Sequence, residues 1–283
     1  MDFDSLAGRA LLQPEAAAYA APAARLLEGT ELLERAWQEL LPDDREEDTA
    51  KTMLSDAAAD FGMEPNRVLL AATVLLTRNM EAEYKARGFS HDIFVDSLQD
   101  IPIWAKCCHE ETGLWGMKQF SWLEKTLRAK LWRLGRLEFE HIGFEAEHYE
   151  KNGVILNKDD TVINVHIPEG SSITKEKCED SFKKAVSFFG SNVFVCESWL
   201  LWPAHREMLD EKSNIRAFMD LFDIIEAWEK PDTHDLWRIF GYLKDYTPET
   251  LPERTSLQRA YKKKLIANGG LTGGGYGVYI YKG

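Results

Sequence analysis

Near Leu134 the hydrophobic pattern of the chain changes period, and no single regular element can satisfy both halves. Upstream, apolar residues recur with helical spacing; downstream, segments alternate apolar and polar side chains as strands do. Glu15–Leu27 is Ala-rich, with Pro22 expected to kink or restart it. Thr30–Leu41 continues in the same style, and LPDDREEDT reads as a charged connection. Thr49–Phe61 is a helix stopped by Gly62, and Pro65 opens a strongly apolar helix with a polar continuation to Lys85 and a stop at Gly88. His91–Leu98, Pro102–His109 and Phe120–Leu131 complete a helical region.

From Leu134 to His141, and again from Thr161 to Ile167, residues alternate as strands. In the second run Ile163, Val165 and Ile167 share one face, while Asn164 and His166 share the other. A loop at Gly170-Ser171-Ser172 leads to a helix capped by Thr174, with an apolar stripe of Cys178, Phe182, Ala185 and Phe189. Val193–Leu201 then reads as a strand covered on both faces. Strand, helix and strand with short connections make a βαβ unit, so these two strands should be parallel. Helices near Ala204–Leu209 and over Asn214–Trp228 are expected next. A strand over Asp235–Phe240, a boxed helix opening at Thr255-Ser-Leu-Gln258 and a closing strand over Tyr276–Lys282 follow. The glycines of Gly273–Gly277 read as a flexible turn. The expectation is α/β overall: a helical domain over 1–130, then a mixed sheet flanked by helices over 131–283.

A formal net charge of -13 argues against duplex nucleic acid and anionic membrane surfaces, and leans toward amines or neutral partners. Cys107, Cys108, Cys178 and Cys196 form no CxxC pair and no metal-ligand spacing, which suits a reducing, cytoplasmic setting without a structural metal. The acidic opening MDFDSLAGRALL is unlike a signal peptide. The apolar run Val68–Leu76 is about half of what a membrane span needs.

Ligands of open α/β sheets bind beyond the carboxyl ends of parallel strands. Here the first strand runs into His166-Ile167-Pro168-Glu169-Gly170-Ser171-Ser172. Pro168 cannot donate a ladder hydrogen bond, so the strands can splay there. The loop residues and Thr174, at a helix N-terminus, make an anion site suited to a pyrophosphate, with Lys175 and Lys177 nearby; an ordinary strand-to-helix turn is the competing reading. Glu197 interrupts the second strand on the face of Val195 and Trp199. It is either a general base with a raised pKa or a structural partner of Arg206 or Arg238. His166, His141 and Glu140 could line the same cleft. Cys196 and Ser198 lack a nucleophile elbow.

The phrases LGRLEFE, INVHIPEGSSITKEKCEDSF, FVCESWLL, SNI and LPERTSLQRA resemble a bacterial acyltransferase family that joins a helical N-terminal domain to a GNAT-like (N-acetyltransferase) C-terminal domain. The resemblance covers essentially the whole chain. It implies an N-acyltransferase that uses acetyl-CoA or another acyl-CoA as co-substrate and a small amine as acceptor. It also implies that acyl-CoA lies between splayed parallel strands, with its pyrophosphate on the loop Glu169–Thr174, so that Ile167, Glu169, Gly170, Ser171, Ser172 and Thr174 would contact it. The usual Arg/Gln-x-x-Gly-x-Gly/Ala signature of that loop is replaced by PEGSSIT. Glu197 and His166 are the candidate bases from the residues themselves. A non-catalytic GNAT-like module that binds a ligand or a protein is the alternative.

Overall fold

The computed structural model describes residues 1–43, 48–231 and 235–283. The charged connection expected at 41–49 lies in part outside the described residues. The chain divides into two compact units, Met1–Arg133 and Leu134–Gly283.

The first unit is helical: α1 Phe3–Arg9, α2 Pro14–Glu28, α3 Leu32–Leu40, α4 Thr49–Asp60, α5 Pro65–Ala86, α6 His91–Ser97, α7 Asp100–Thr112 and α8 Phe120–Leu127. α5 is the centre of this unit, and every residue from Val68 to Thr77 is buried. A helix apolar on all sides needs neighbours on all sides, and α2, α4 and α8 pack against it. The small residues Ala16, Ala20, Ala23 and Ala24 are the buried face of α2. α2 does not restart at Pro22; it is one element through it. Buried Thr73 donates its hydroxyl to Leu69 O at 2.8 Å, as an intrahelical threonine must when no water is available. No helix among the described residues is long and apolar enough to cross a membrane.

The chain passes from one unit to the next within β1, Leu131–Leu134. The second unit continues with β2 Leu137–Gly143, β3 His148–Lys151, β4 Val154–Asn157, β5 Thr161–His166, α9 Lys175–Phe189, β6 Val193–Ser198, α10 His205–Met208, α11 Asn214–Met219, β7 Asp223–Lys230, α12 Trp237–Phe240, α13 Ser256–Ala267 and β8 Thr272–Ile280. The sheet order is β1-β2-β5-β6-β8-β7, with β3-β4 as a separate hairpin. β5 and β6 are parallel, as the βαβ reading requires, while β2 with β5, β6 with β8, β7 with β8 and β3 with β4 pair antiparallel. One sheet face packs Phe139, Phe194 and Tyr279 against Phe182 of α9. The other face carries Phe144, Tyr149, Val162, Val195, Tyr276 and Val278.

Four local readings are corrected. The helix over Asn214–Trp228 ends at Met219, and Asp223–Lys230 is a strand on the sheet edge. Ile224, Ile225 and Trp228 mimic helical spacing because a bulge between Ile224 and Glu226 breaks the two-residue alternation. The strand over Asp235–Phe240 is instead the short helix α12, started by Arg238 N donating to Asp235 O. The strand over Val193–Leu201 stops at Ser198, whose Oγ accepts from Leu200 N at 3.1 Å and opens a 3-10 turn. Lastly, Gly273–Gly277 is no turn but the body of β8. A Cβ at Gly273 would lie 2.2 Å from Trp202 Nε1, and one at Gly275 would lie 2.7 Å from Leu201 O. Close packing, rather than flexibility, explains these glycines.

Candidate active site

The central feature is a gap between two parallel strands. Ladder pairing of β5 with β6 comprises Ile163 with Phe194 and Asn164 with Val195. Yet β5 runs on to His166 and stays paired with β2, where His166 faces Glu138. β6 runs on to Ser198 and stays paired with β8, where Ser198 faces Gly275. Each strand is held on its outer side and open on its inner side. The separation therefore begins at the residues after Asn164 and Val195, upstream of Pro168, where the sequence pattern placed it.

On the β5 side of the gap, antiparallel register sets Glu138 and Glu140 on the same face as Asn164 and His166. His166 Nε2 lies 2.6 Å from Glu140 Oε1. Glu140 is 6% exposed, so the carboxylate is a buried orienting group rather than a surface charge. Asn164 is also buried, with Nδ2 at 3.1 Å from His166 Nε2 and Oδ1 without a hydrogen-bond partner. His141 is not part of this cluster. Its ring packs edge-on at 5.0 Å from Phe189, on the α9 face.

On the β6 side stands Glu197, exposed to solvent and alternating with Val195. Its carboxyl is held above the usual carboxylate range, first by the part of its environment that excludes water and then by the neighbouring Glu145 carboxyl, to which it is hydrogen-bonded; Lys230 opposes the shift. Glu145 N–H donates to the hydroxyl of Tyr276, the register partner of Glu197, at 3.3 Å. The two arginines that could have made Glu197 structural are engaged elsewhere: Arg206 with Asp220 at 2.9 Å and Arg238 with Asp235 at 3.1 Å. Trp199, expected on the same strand face, sits in the 3-10 turn and packs against Tyr261. Cys196 is fully buried, and burial pushes its thiol far up, which makes it a core residue and no nucleophile.

The loop after β5 reaches α9 through Thr174, whose hydroxyl accepts from Lys177 N at 3.5 Å. Gly170 takes φ +122°, a conformation that side chains rarely adopt. Arg136, in the turn before β2, donates its Nε to Ser171 O at 2.7 Å. Glu176 hydrogen-bonds its own backbone N–H and Thr174, which holds its carboxyl below the usual range. Among the described residues no group of three or more His, Cys, Asp or Glu is gathered for a metal ion.

The family model described as a GNAT-like C-terminal domain matches residues 131–279, more than half of the chain. The model described as an N-acyltransferase N-terminal domain matches residues 1–129. The chain belongs to this N-acyltransferase family. Among solved structures, the fold of this N-acyltransferase is similar to that of an acyltransferase in complex with decanoyl-CoA and teicoplanin, with 20% identity, TM-score 0.65 and all of both chains covered. It is similar also to an acyltransferase in complex with CoA and 10C-teicoplanin, with 20% identity, TM-score 0.66 and the same full coverage. At that identity the likeness shows the fold. No curated protein matches the chain.

The sequence put His166, His141 and Glu140 along one cleft; the structure pairs His166 with Glu140 and sets His141 against Phe189 on the other face. Sequence reasoning missed Glu145, Tyr276 and Asn164 as neighbours of the gap. Glu145 and Tyr276 carry no motif and meet Glu197 only through tertiary packing. Asn164 could have been found, because it alternates in phase with His166.

Proposed function

We propose that this protein transfers an acyl group from an acyl-CoA to a small amine, with the thioester held in the gap between β5 and β6. The observation that carries the reading is the early end of β5–β6 pairing, flanked by two proton-accepting groups on one face. Family membership supports it, and so do the acyl-CoA complexes of acyltransferases with the same fold. The loop from Ile167 through Glu169, Gly170, Ser171 and Ser172 to Thr174 would receive the pyrophosphate at the positive end of α9.

In this reading the neutral amine attacks the thioester carbonyl. The C–N bond forms, the C–S bond breaks, the sulfur leaves as the CoA thiol after taking a proton, and the amine nitrogen gives up one proton. His166 is our first candidate to accept that proton. A carboxylate 2.6 Å from Nε2 fixes the proton there, so a neutral ring carries its lone pair on Nδ1. Glu197 is the second candidate acceptor, its raised pKa bringing it nearer to a useful base at neutral pH. Residues 1–130 and 131–283 would act as separate domains, with the chemistry in the second. The four free, buried cysteines fit a cytoplasmic setting.

A specific observation favours a second reading, a GNAT-like module that binds without catalysing. Glu176 places a carboxylate at the α9 N-terminus, where a pyrophosphate would have to displace it. The test is thiol release from octanoyl-CoA in the presence of a panel of small amines, with the amide product identified by mass. Amine-dependent release with matching amide is expected. Octanoyl-CoA left intact by every amine while still bound would favour the second reading.

A further inference from the structure

The signature that usually cradles the CoA diphosphate is missing from PEGSSIT, yet the loop is not loose. Its carbonyl at Ser171 accepts the Nε–H of Arg136 at 2.7 Å, and Arg136 is 9% exposed. Arg136 is itself fixed. Its backbone N–H and that of Leu137 donate to Ser181 Oγ on α9, at 2.8 and 3.3 Å. Ser181 in turn donates to Lys177 O at 2.9 Å. The turn before β2, the first turns of α9 and the loop are thus one hydrogen-bonded assembly.

A trans peptide unit points its C=O and N–H in opposite directions. The C=O of Ser171 is drawn inward to a buried guanidinium, and no cis peptide bond is present among the described residues. The N–H of the same peptide unit belongs to Ser172 and must point outward. The N–H groups of Gly170, Ser171, Ser172 and Ile173 donate to no acceptor among the described residues. Successive unpaired amides beside a helix N-terminus make a concavity for an anion.

We infer that Arg136 is a positioning residue for the acyl-CoA diphosphate: by holding the Ser171 carbonyl inward, it presents the Ser172 N–H to the phosphate oxygens. This rests on the acyl-CoA reading above, which the family and the strand gap carry independently of Arg136. It also accounts for the substitution of the usual signature. A glycine-rich loop can turn its amides outward by its own freedom, whereas PEGSSIT is turned by an external clamp.

The test compares binding of octanoyl-CoA with that of octanoyl-pantetheine, which shares the acyl arm and lacks the diphosphate. Wild-type protein should bind octanoyl-CoA at least about tenfold more tightly, the worth of one charge-assisted hydrogen bond. Arg136→Gln should remove most of that preference by weakening octanoyl-CoA alone, with octanoyl-pantetheine affinity unchanged. Arg136→Lys, which keeps a donor and a charge, should restore part of it. An Arg136→Gln protein that weakens both ligands equally would overturn the inference, because the effect would then be general damage to the fold. Should Arg136→Gln fail to melt cooperatively, Ser172→Pro removes the same N–H while Arg136 stays in place and should give the same loss; a retained preference there overturns the inference. A wild-type protein that binds both ligands equally would sink the placement of the diphosphate itself, a separate result from failure of the Arg136 role.

Discussion

His205 should make the protein acid-sensitive by an amount that its surroundings set. The residue is completely buried. Nε2 lies 2.5 Å from the Tyr261 hydroxyl and Nδ1 lies 3.2 Å from Leu200 O. Burial keeps the Tyr261 hydroxyl protonated, so it donates to Nε2, and Nδ1–H donates to Leu200 O. The neutral ring is fully satisfied. A second ring proton would set two donors against each other where no water can help. Burial accordingly lowers the His205 pKa to about 4 from the ordinary 6.5, with the Leu200 carbonyl opposing. The sign follows from proton counting. The unfolded chain binds the proton below about pH 6.5 and the folded one does not until about pH 4, so stability is lost as pH falls through that window. With 1.36 kcal/mol per pKa unit, the loss is on the order of 1 kcal/mol at pH 5.5 and roughly 2–3 kcal/mol at pH 4.5. Urea unfolding of wild type and His205→Gln at pH 7.5, 5.5 and 4.5 isolates the term. Tryptophan fluorescence reports on it locally, since the Trp199 and Trp202 rings lie within 6 Å of His205, at 5.9 and 5.8 Å. Wild type should lose roughly 2–3 kcal/mol relative to the variant between the extremes. A difference that is constant across pH would refute the buried neutral histidine.

Three more expectations follow from the site and the sheet. Glu140→Gln should lower the turnover of amide formation by about 10- to 100-fold, the worth of a charge-assisted bond of 1.5–3 kcal/mol that strengthens as His166 gains a proton. Steady-state kinetics check this, and unchanged turnover would remove His166 as the base. Glu197→Gln should make the fold slightly more stable at pH 8 than wild type, by under about 1 kcal/mol at so exposed a position, and the gain should shrink toward pH 5. The sign follows because a carboxyl with a raised pKa stabilises the fold at low pH and loses that contribution as pH rises. The same variant should cost roughly 100- to 10,000-fold in turnover where Glu197 is the base; a melting curve and a kinetic assay on one protein read both. Gly273→Ala should destabilise by about 1–3 kcal/mol in chemical unfolding, because its Cβ would lie 2.2 Å from Trp202 Nε1 and 2.5 Å from Trp228 O. A neutral effect there would mean that β8 is free to move away from Trp202.

Much of the fold was legible because its periodicities are clean. α5 is bounded by Pro65 and Gly88, and from Ile163 to Ile167 the apolar Ile163, Val165 and Ile167 alternate with Asn164 and His166 as in a strand. Thr174 and the Thr255–Gln258 box are local caps, and both are found as expected, with Gln258 N donating to Thr255 Oγ1 at 3.1 Å. The failures occurred where a tertiary partner decides. β7 is a strand because β8 lies beside it, and a bulge hides its alternation. The β8 glycines looked like a turn because the indoles they accommodate are remote in sequence. The site was legible to the same degree. The phase of Asn164 and His166 and the interruption at Glu197 put polar groups at the strand ends. That His166 would meet Glu140, and Glu197 would meet Glu145, depends on antiparallel register and loop packing that no spacing encodes.

The placement of acyl-CoA between β5 and β6 is tested most directly by hydrogen exchange of the wild-type protein with and without octanoyl-CoA. Protection should appear in Asn164–Thr174 and in Val195–Ser198, the two sides of the gap and the loop beyond it, while the β3-β4 hairpin and the outer edge strand β7 stay unchanged. Protection confined to other segments, or no change at saturating ligand, would contradict it.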